Sequence, residues 1–446
     1  MKIVIAGAGD IGFHIAKLLT FEKQDITLID TDGDVLDHAR THLDVLTVKG
    51  DSSSFTVLQD AEVDRARLVI AATTSEKTNI ITAILAKKMG AKQTIARVQS
   101  QEYLAKDQKA IFLELGVDSL ISPQQLAAYE VLRLIKQCSL TDIFEFEGGQ
   151  ISLIGVLLDD SSPIVNMSIR EVDVVYDKIV FKPIALLRGH QTIIPNPNTI
   201  LRRNDHIYFL ARNEDISTLV GIVGKDNVVV KNIMIIGGTE LALKTAQLLE
   251  EHYNVLLIEK DKVRCKALVQ DLHDTLVVCA DPSNLNELEE EGLKKMDAVV
   301  ALSDNSESNI IASLMAEEAG VYKTIALVSN THYVRLSQNI GVDTLINEKL
   351  IAANNIFRFV RKGNVEAITS IHGSDAEIIE FSVTKGHRVT KRTLADLHLP
   401  ASAVVGSVLR GKEALIPDDD FTLQSDDKVI IFALPEAISI VEKIFR

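Results

Sequence analysis

The residues best suited to chemistry form a glycine-rich run, Gly7 to Gly12, between a short apolar segment and an amphipathic stretch. These flanks predict a β-strand before the run and a helix after it, which is the setting in which Gly-x-Gly-x-x-Gly carries meaning. Gly7 would allow a tight turn, Gly9 would let the backbone approach a pyrophosphate, and Gly12 would permit close helix–strand packing. The helix N terminus adds free N–H groups and partial positive charge, so the run predicts a phosphate site.

Polar residues at the ends of the following strands complete this site. Asp30 ends the second predicted strand, where a carboxylate accepts hydrogen bonds from ribose hydroxyls and repels a 2′-phosphate, which favours NAD over NADP. Taken singly, Asp51 could also be a turn residue and Arg97 a surface cation. The predicted contacts, all at the carboxyl edge of a parallel sheet, are Gly7, Ala8, Gly9, Asp10, Ile11, Asp30, Asp51, Ser52, Thr73, Thr74 and Arg97.

The chain repeats itself. The segment from Lys2 to Gly7 matches Asn232 to Gly237, and later segments keep nearly the same spacing. A second pairing relates Leu187-Arg188-Gly189 to Leu409-Arg410-Gly411. The order of units is therefore A-B-A′-B′.

The second copy of the loop departs from the first. Thr239 stands where Gly9 is expected, Ala242 replaces Gly12 and Leu327 replaces Arg97. A β-branched residue at the point of closest approach crowds a pyrophosphate, so this loop is predicted to suit a weaker or smaller adenosine ligand. Its candidate contacts are Gly237, Gly238, Thr239, Glu240, Leu241, Glu259, Asp281 and Ser303.

Alternating apolar runs and helix-period stretches predict an α/β fold. We expect two Rossmann-like, doubly wound parallel-sheet domains, each followed by a small α+β domain. Each predicted linker helix either packs on its own domain or is exchanged between neighbouring units. The predicted boundaries are 1–122 for the first Rossmann domain, 123–140 for a linker helix, 141–226 for the first small domain, 231–347 for the second Rossmann domain, 348–362 for a second linker helix and 363–446 for the second small domain.

Composition narrows the class of protein. The 446 residues carry 62 acidic against 47 basic side chains, a net charge of −15, which disfavours binding to nucleic acid or to anionic lipid. The three cysteines are scattered without zinc-ligand spacing, and we predict no metal site and a reducing, cytoplasmic environment. No apolar run approaches the roughly 18 residues of a membrane span, so a membrane role would require a partner protein.

The same residues argue against an enzyme. A nicotinamide dehydrogenase needs a domain that supplies a general acid or base, and the B unit offers only His190 and His206 without a convergent partner. No Gly-x-x-x-x-Gly-Lys-Ser/Thr sequence is present for nucleotide hydrolysis. The class of function that remains is ligand binding coupled to shape change or assembly. A soluble NAD-dependent oxidoreductase and a structural oligomer with vestigial sites are the alternatives.

These motifs together resemble the TrkA family, the peripheral NAD-binding subunits of the Trk potassium uptake system with tandem regulator-of-potassium-conductance (RCK) domains. The features that carry the resemblance are Gly7-Ala8-Gly9, Ile29-Asp30, Gly50-Asp51, Thr73-Thr74 with Glu76 and Asn79, Ile95-Ala96-Arg97, and the paired Leu-Arg-Gly segments. The resemblance implies a homo-oligomeric ring, a tetramer being one candidate, that docks on the cytoplasmic face of an integral-membrane potassium transporter. It implies pyrophosphate contacts at Gly7 to Ile11, a ribose contact at Asp30 and a phosphate contact at Arg97. The ligand would be NAD or NADH, with ATP or ADP in the same cleft as the alternative.

Overall fold

The computed structural model describes residues 1–21, 24–138, 140–146, 150–159, 161–176, 181–189, 191–224, 229–329, 342, 344–360, 365–370, 376–411 and 413–445. His190 and parts of both predicted small domains lie outside these residues.

The first Rossmann-like sheet has six parallel strands in the order β3-β2-β1-β4-β5-β6. Its central strands are almost fully buried because crossover helices cover both faces of a parallel sheet. The elements in chain order are β1 (Lys2–Ala6), α1 (Asp10–Phe21), β2 (Asp25–Asp30), α2 (Gly33–His42), β3 (Leu46–Lys49), α3 (Phe55–Asp60), β4 (Leu68–Ala71), α4 (Glu76–Met89), β5 (Gln93–Arg97), α5 (Gln101–Leu104), α6 (Lys106–Leu115), β6 (Ser119–Ile121) and α7 (Pro123–Lys136).

The first small domain is built on an antiparallel sheet with the order β10-β9-β11-β8-β7. One face of this sheet packs on the short helices of the domain. The elements are β7 (Asp142–Phe146), β8 (Ile151–Leu157), α8 (Ile169–Val175), β9 (Phe181–Arg188), β10 (Gln191–Ile193), β11 (His206–Arg212) and α9 (Ile216–Ile222).

The second Rossmann-like sheet repeats the strand order of the first, as β14-β13-β12-β15-β16-β17. The equal order follows from the sequence repeat, since the same alternation of apolar runs produces the same crossovers. The elements are β12 (Asn232–Ile236), α10 (Glu240–Leu249), β13 (Asn254–Glu259), α11 (Lys262–Asp271), β14 (Leu276–Cys279), α12 (Leu285–Glu290), β15 (Ala298–Ala301), α13 (Ser306–Glu318), β16 (Lys323–Leu327), β17 (Thr344–Ile346) and α14 (Glu348–Val360).

The second small domain also repeats the first, with the sheet order β18-β19-β22-β20-β21. Buried residues of the two antiparallel sheets share one hydrophobic cluster, in which Phe146 and Leu210 lie with Ile378 and Phe432. The elements are β18 (Val365–Ser370), β19 (Glu377–Ser382), β20 (Ala403–Arg410), β21 (Glu413–Leu415), β22 (Lys428–Ala433) and α15 (Pro435–Phe445). The predicted fold class is therefore confirmed. The sequence pattern of the first copy predicted strands near residues 2–6, 26–30, 44–48, 68–72 and 94–98, and it did not reveal the sixth strand of each Rossmann sheet.

Contacts divide the chain into two compact units that do not follow the sequence repeat. One unit contains residues 1–127 together with 348–360, and the other contains 128–347 with 361–446. Helix α14 belongs to the first unit because it packs against α1, although the two helices are far apart in sequence. The sequence left open whether each linker helix packs on its own domain or is exchanged between units. For α14, the structure shows the exchanged arrangement.

No helix within the described ranges has the length and apolar character needed to cross a bilayer.

The repeated Leu-Arg-Gly segments have a structural explanation in the small domains. Arg188 binds Asp205 through two hydrogen bonds of 2.7 and 2.6 Å, and Arg410 binds Asp427 in the same way at 2.9 and 2.8 Å. Both aspartates are only 1% exposed. Each bidentate pair connects the end of a hairpin strand, β9 or β20, to the residue just before the last strand in chain order, β11 or β22.

We predict that Asp205→Asn destabilises the first small domain by about 3 kcal/mol, because it leaves a partly buried guanidinium without its charge partner. Asp426→Asn is the matched control, since Asp426 is exposed and its φ of 68° is one that asparagine tolerates. Thermal unfolding of the full chain measures both effects. Equal midpoints for the two variants would contradict the role given to the buried pair.

Candidate nucleotide-binding site

The three glycines of the first loop occupy three different environments. Gly7 has a φ of +99°, and a Cβ on it would lie 2.7 Å from the backbone nitrogen of Thr73. A Cβ on Gly12 would lie 1.8 Å from the carbonyl oxygen of Gly7, so only glycine lets α1 start this close to the loop. A Cβ on Gly9, in contrast, would meet no atom within 4 Å. Gly7 and Gly12 thus shape the loop, while Gly9 leaves open space in front of it.

Asp30 lies directly beside this loop. Its Oδ2 accepts a hydrogen bond from the N–H of Ala8 at 2.7 Å, and its Oδ1 accepts one from the N–H of Asp32 at 3.0 Å. A carboxylate has about four acceptor positions, so two such bonds fix its orientation and leave lone pairs for further donors. Asp10 and Ile11 begin α1 on the other side of the loop, and Asp10 is exposed.

Asp51 and Ser52, which follow Gly50 after β3, differ in exposure. The exposed Asp51 accepts hydrogen bonds from the backbone N–H and the hydroxyl of Ser53, which hold the pKa of its carboxyl below the usual range. Ser52 is 4% exposed, and its hydroxyl bonds to that of Thr82 in α4 at 2.9 Å. Asp51 thus lies in a turn that its bonds with Ser53 hold, and any ligand contact by Ser52 would have to use its backbone.

A buried asparagine, Asn79, joins the ends of β4 and β5. Its Oδ1 accepts hydrogen bonds from the N–H and the hydroxyl of Thr73 at 2.8 and 2.6 Å, and its Nδ2 donates to the carbonyl oxygens of Thr73 and Arg97. Thr74, which follows Thr73, is exposed at the edge of the sheet. Asn79 was not among the predicted contacts, although its recurrence as Asn309 in the second copy was a usable signal.

Arg97 lies between the loop and α14. Its side chain lines a small pocket with Ile11 of α1 and with Ala352 and Ile356 of α14. Burial lowers the pKa of the guanidinium, against the opposing effect of the Glu348 carboxylate. Within the described part of the chain, its Nε atom is buried and has no hydrogen-bond partner. Arg97 is therefore not the ordinary surface cation of the alternative interpretation.

Lys349 is a second cation at this loop. Its Nζ lies 2.6 Å from Oδ2 of Asp10, at the N terminus of α1. The neighbouring His14 is affected as well, because burial, with smaller contributions from Lys17 and Lys349, lowers its pKa to about 4. His14 is thus neutral at pH 7, as expected of a packed histidine. Sequence reasoning missed Lys349 because nothing in a linear pattern places it next to Asp10.

The second loop keeps the carboxylate contacts of the first loop but differs at the position of Gly9. The N–H of Gly238 donates to Glu259 Oε2 at 2.6 Å and that of Asp261 to Glu259 Oε1 at 2.8 Å, as at Asp30. Thr239, however, uses its hydroxyl to bond the carbonyl oxygen of Leu302 and to accept from the N–H of Ala242. It fills the position that is open at Gly9.

Further residues of the second loop are already engaged in local contacts. Asp281 accepts two hydrogen bonds from Ser283, and Ser303 binds Asn309 as Thr73 binds Asn79. Glu240 and Leu241 begin α10, where Leu241 is buried and Glu240 is exposed.

The residues of the first loop fit a dinucleotide or an adenine nucleotide. The open face at Gly9 and the helix N terminus suit a pyrophosphate, the remaining lone pairs of Asp30 suit a ribose, and the unpaired Nε of Arg97 is an available donor. The second loop fits such a ligand less well, because Thr239 crowds the phosphate position and Leu327 offers no charge. No cluster of His, Cys, Asp and Glu that could hold a metal ion occurs among the described residues.

Models of two domain families match the chain in tandem. The TrkA-N domain matches residues 3–123 and 233–348, and the TrkA-C domain matches residues 153–224 and 378–446. Solved structures share the fold over the full chain at 15% identity. The GsuK RCK domain has a TM-score of 0.61 with 94% of its chain covered, and the GsuK channel bound to NAD has a TM-score of 0.60 with 78% covered.

Relatives of known name align from end to end. The Trk system potassium uptake protein TrkA homolog of Archaeoglobus fulgidus is 32% identical with all of both chains covered. The Trk system potassium uptake protein TrkA of Halomonas elongata is 31% identical, with all of this chain and 99% of the relative covered. The chain therefore belongs to the TrkA family of potassium uptake proteins, with TrkA-N and TrkA-C domains in tandem.

Proposed function

We propose that this chain is a regulatory subunit that binds NAD or NADH at the first loop and thereby controls a membrane potassium transporter. The observation that carries the proposal is the open space at Gly9, in a loop whose Ala8 N–H is held by Asp30. Next to this loop, Ile11 of α1 lines a pocket with Arg97 and with residues of α14, a helix from the second half of the chain. ATP or ADP would use the same adenosine and phosphate contacts and is the alternative ligand. The names of the relatives, which are potassium uptake proteins, support the transport role.

The proposed ligand contacts in the first copy are those predicted from the sequence, with Ser52 acting through its backbone and Lys349 added. The contacts predicted in the second copy form a weaker site in this proposal, because Thr239 already occupies the phosphate position. The predicted domain boundaries stay part of the proposal, as do the cytoplasmic location, the homo-oligomeric ring and docking to an integral-membrane partner. The net charge of −15 supports docking to a basic protein surface better than to lipid.

The proposed control rests on differential affinity. A ligand shifts a conformational equilibrium only by as much as it prefers one arrangement over the other. Phosphate at the loop would compete with the Asp10 carboxylate for Lys349 and would attract Arg97. Lys349 belongs to α14, and Arg97 lines a pocket with two residues of that helix. Since both ends of α14 continue into the other compact unit, a shift of this helix is passed on along the chain. No step of this kind requires catalysis, so we propose a binding protein and not an enzyme.

Gly9→Val tests where the ligand binds. We expect calorimetry with NADH to show one strong site per chain in the parent protein and at least a hundredfold weaker binding in the variant, because the new side chain fills the pyrophosphate position. Thermal stability should change little, since a Cβ at Gly9 meets no neighbour. Thr239→Val creates the same residue at the matching position of the second copy and should leave this binding intact. Normal binding by the Gly9→Val protein would refute the assignment.

The transport role requires its own measurement. In cells that depend on this chain and its membrane partner for potassium uptake, the Gly9→Val protein should lose the nucleotide-dependent part of the uptake, and the Thr239→Val protein should keep it. Unchanged uptake with Gly9→Val, despite lost NADH binding, would mean that the site is not the sensor.

Asp10 and Lys349 are expected to affect phosphate binding in opposite directions. Lys349→Ala should weaken ADP binding about tenfold, because a cation at the phosphate is lost, whereas Asp10→Asn should strengthen it by releasing Lys349 and removing a like charge. Adenosine, which has no phosphate, should bind all variants equally in the same titration. Lys88→Ala is the control, since exposed Lys88 lies near the end of α4, at the opposite edge of the sheet. An equal effect of Lys349→Ala on adenosine and ADP would contradict a phosphate contact.

A further inference from the structure

Two of the three cysteines, in consecutive elements of the chain, lie together at the carboxyl edge of the second Rossmann sheet. Cys265 is in the first turn of α11, and Cys279 is the last residue of β14. The Sγ of Cys265 donates to the carbonyl oxygen of Glu259 at 3.2 Å, and the Sγ of Cys279 donates to that of Lys260 at 3.6 Å. The two thiols thus bind the carbonyl oxygens of consecutive residues.

Strand pairing also fixes the position of Cys279. In the parallel ladder of β13 and β14, Cys279 is the partner of Glu259, so its position is set by the sheet and not by a loose surface loop. Cys265 is one of the two residues that α11 buries against the sheet, the other being Leu268. Both thiols are therefore held by regular structure at the same end of β13.

The two thiols differ in their access to solvent. Cys279 is exposed, whereas Cys265 is 9% exposed. Burial, followed by the neighbouring Cys279 thiol and the Glu259 carboxylate, raises the pKa of Cys265 to about 11. An outer thiol that meets small oxidants and an inner thiol that reacts second is the division found in reversible thiol pairs.

We propose that Cys265 and Cys279 form a reversible disulfide by exchange with a small-molecule disulfide of the glutathione class. The Cys279 thiolate attacks one sulfur of the small disulfide, which forms a mixed disulfide and releases one small thiolate. Cys265 then loses its proton to solvent and attacks the Cys279 sulfur, which releases the second small thiolate. The two protein thiols are oxidised, the small disulfide is reduced to two thiols, and the two protons lost by the protein end on those thiols or in solvent.

The cross-link would act on the second Rossmann domain alone. It would link α11 to the end of β14 next to Glu259. The carboxylate of Glu259 accepts hydrogen bonds from the N–H groups of Gly238 and Asp261. The corresponding positions of the first copy carry Leu36 in α2 and Lys49 at the end of β3, which cannot form such a bond. The modification site stands on the thiol geometry and does not depend on nucleotide binding.

The test exposes the reduced full chain to graded ratios of oxidised to reduced glutathione, followed by alkylation of free thiols and peptide mapping by mass spectrometry. We expect a peptide pair joined through Cys265 and Cys279 that disappears on addition of excess reduced glutathione. The wild-type mapping needs no variant and is therefore independent of any folding defect. A glutathione adduct that stays on Cys279 without passing to Cys265, or no reaction at Cys279, would overturn the proposal.

Variants resolve the order of the two steps. Cys265→Ser should accumulate the mixed disulfide on Cys279, and Cys279→Ser should leave Cys265 largely unreacted. Cys138→Ser is the control and should cross-link like the parent chain, because Cys138 is buried just beyond the end of α7. A cross-link that disappears in Cys138→Ser would show that a different pair reacts.

Discussion

The packing of α14 against α1 is the contact on which the candidate site depends. It brings Lys349 to the first residue of α1 and places Ala352 and Ile356 in the pocket beneath Arg97. Without this contact, Lys349 would not lie at the first loop. With it, residues from the second half of the chain become part of the first site. The proposed regulation follows from this contact, because a ligand that changes the charges at the loop changes the surroundings of a helix whose two ends continue elsewhere.

The two copies share a scaffold and differ in what the scaffold offers. Asn79 and Asn309 make equivalent hydrogen bonds between neighbouring strand ends, and Arg188 and Arg410 make equivalent bidentate ion pairs. These contacts connect the same elements in each copy. The loops have diverged on top of them. Thr239 satisfies its own helix terminus with its hydroxyl, whereas Gly9 leaves that terminus open to a ligand. The scaffold is therefore repeated while the proposed sensing is concentrated in one copy.

Much of the fold could be predicted because its signals are local. Apolar runs of four to six residues and the glycines at positions 7, 9 and 12 determine strand, turn and helix within one short segment. The sixth strand, Ser119–Ile121, was missed because three residues give too short an alternation to recognise. Lys349 and the Cys265–Cys279 pair were missed for another reason. Their proximity is created by tertiary packing, and no spacing along the chain encodes it.

The coupling between the first loop and α14 is tested most directly by hydrogen exchange. Backbone amides of residues 348–360 would be followed by mass spectrometry in the full chain, with and without saturating NADH, and in the Gly9→Val variant. Our account predicts that NADH changes the exchange of these amides in the parent chain and leaves them unchanged in the variant. Unaltered exchange in α14, under conditions where calorimetry shows NADH bound to the parent chain, would contradict it.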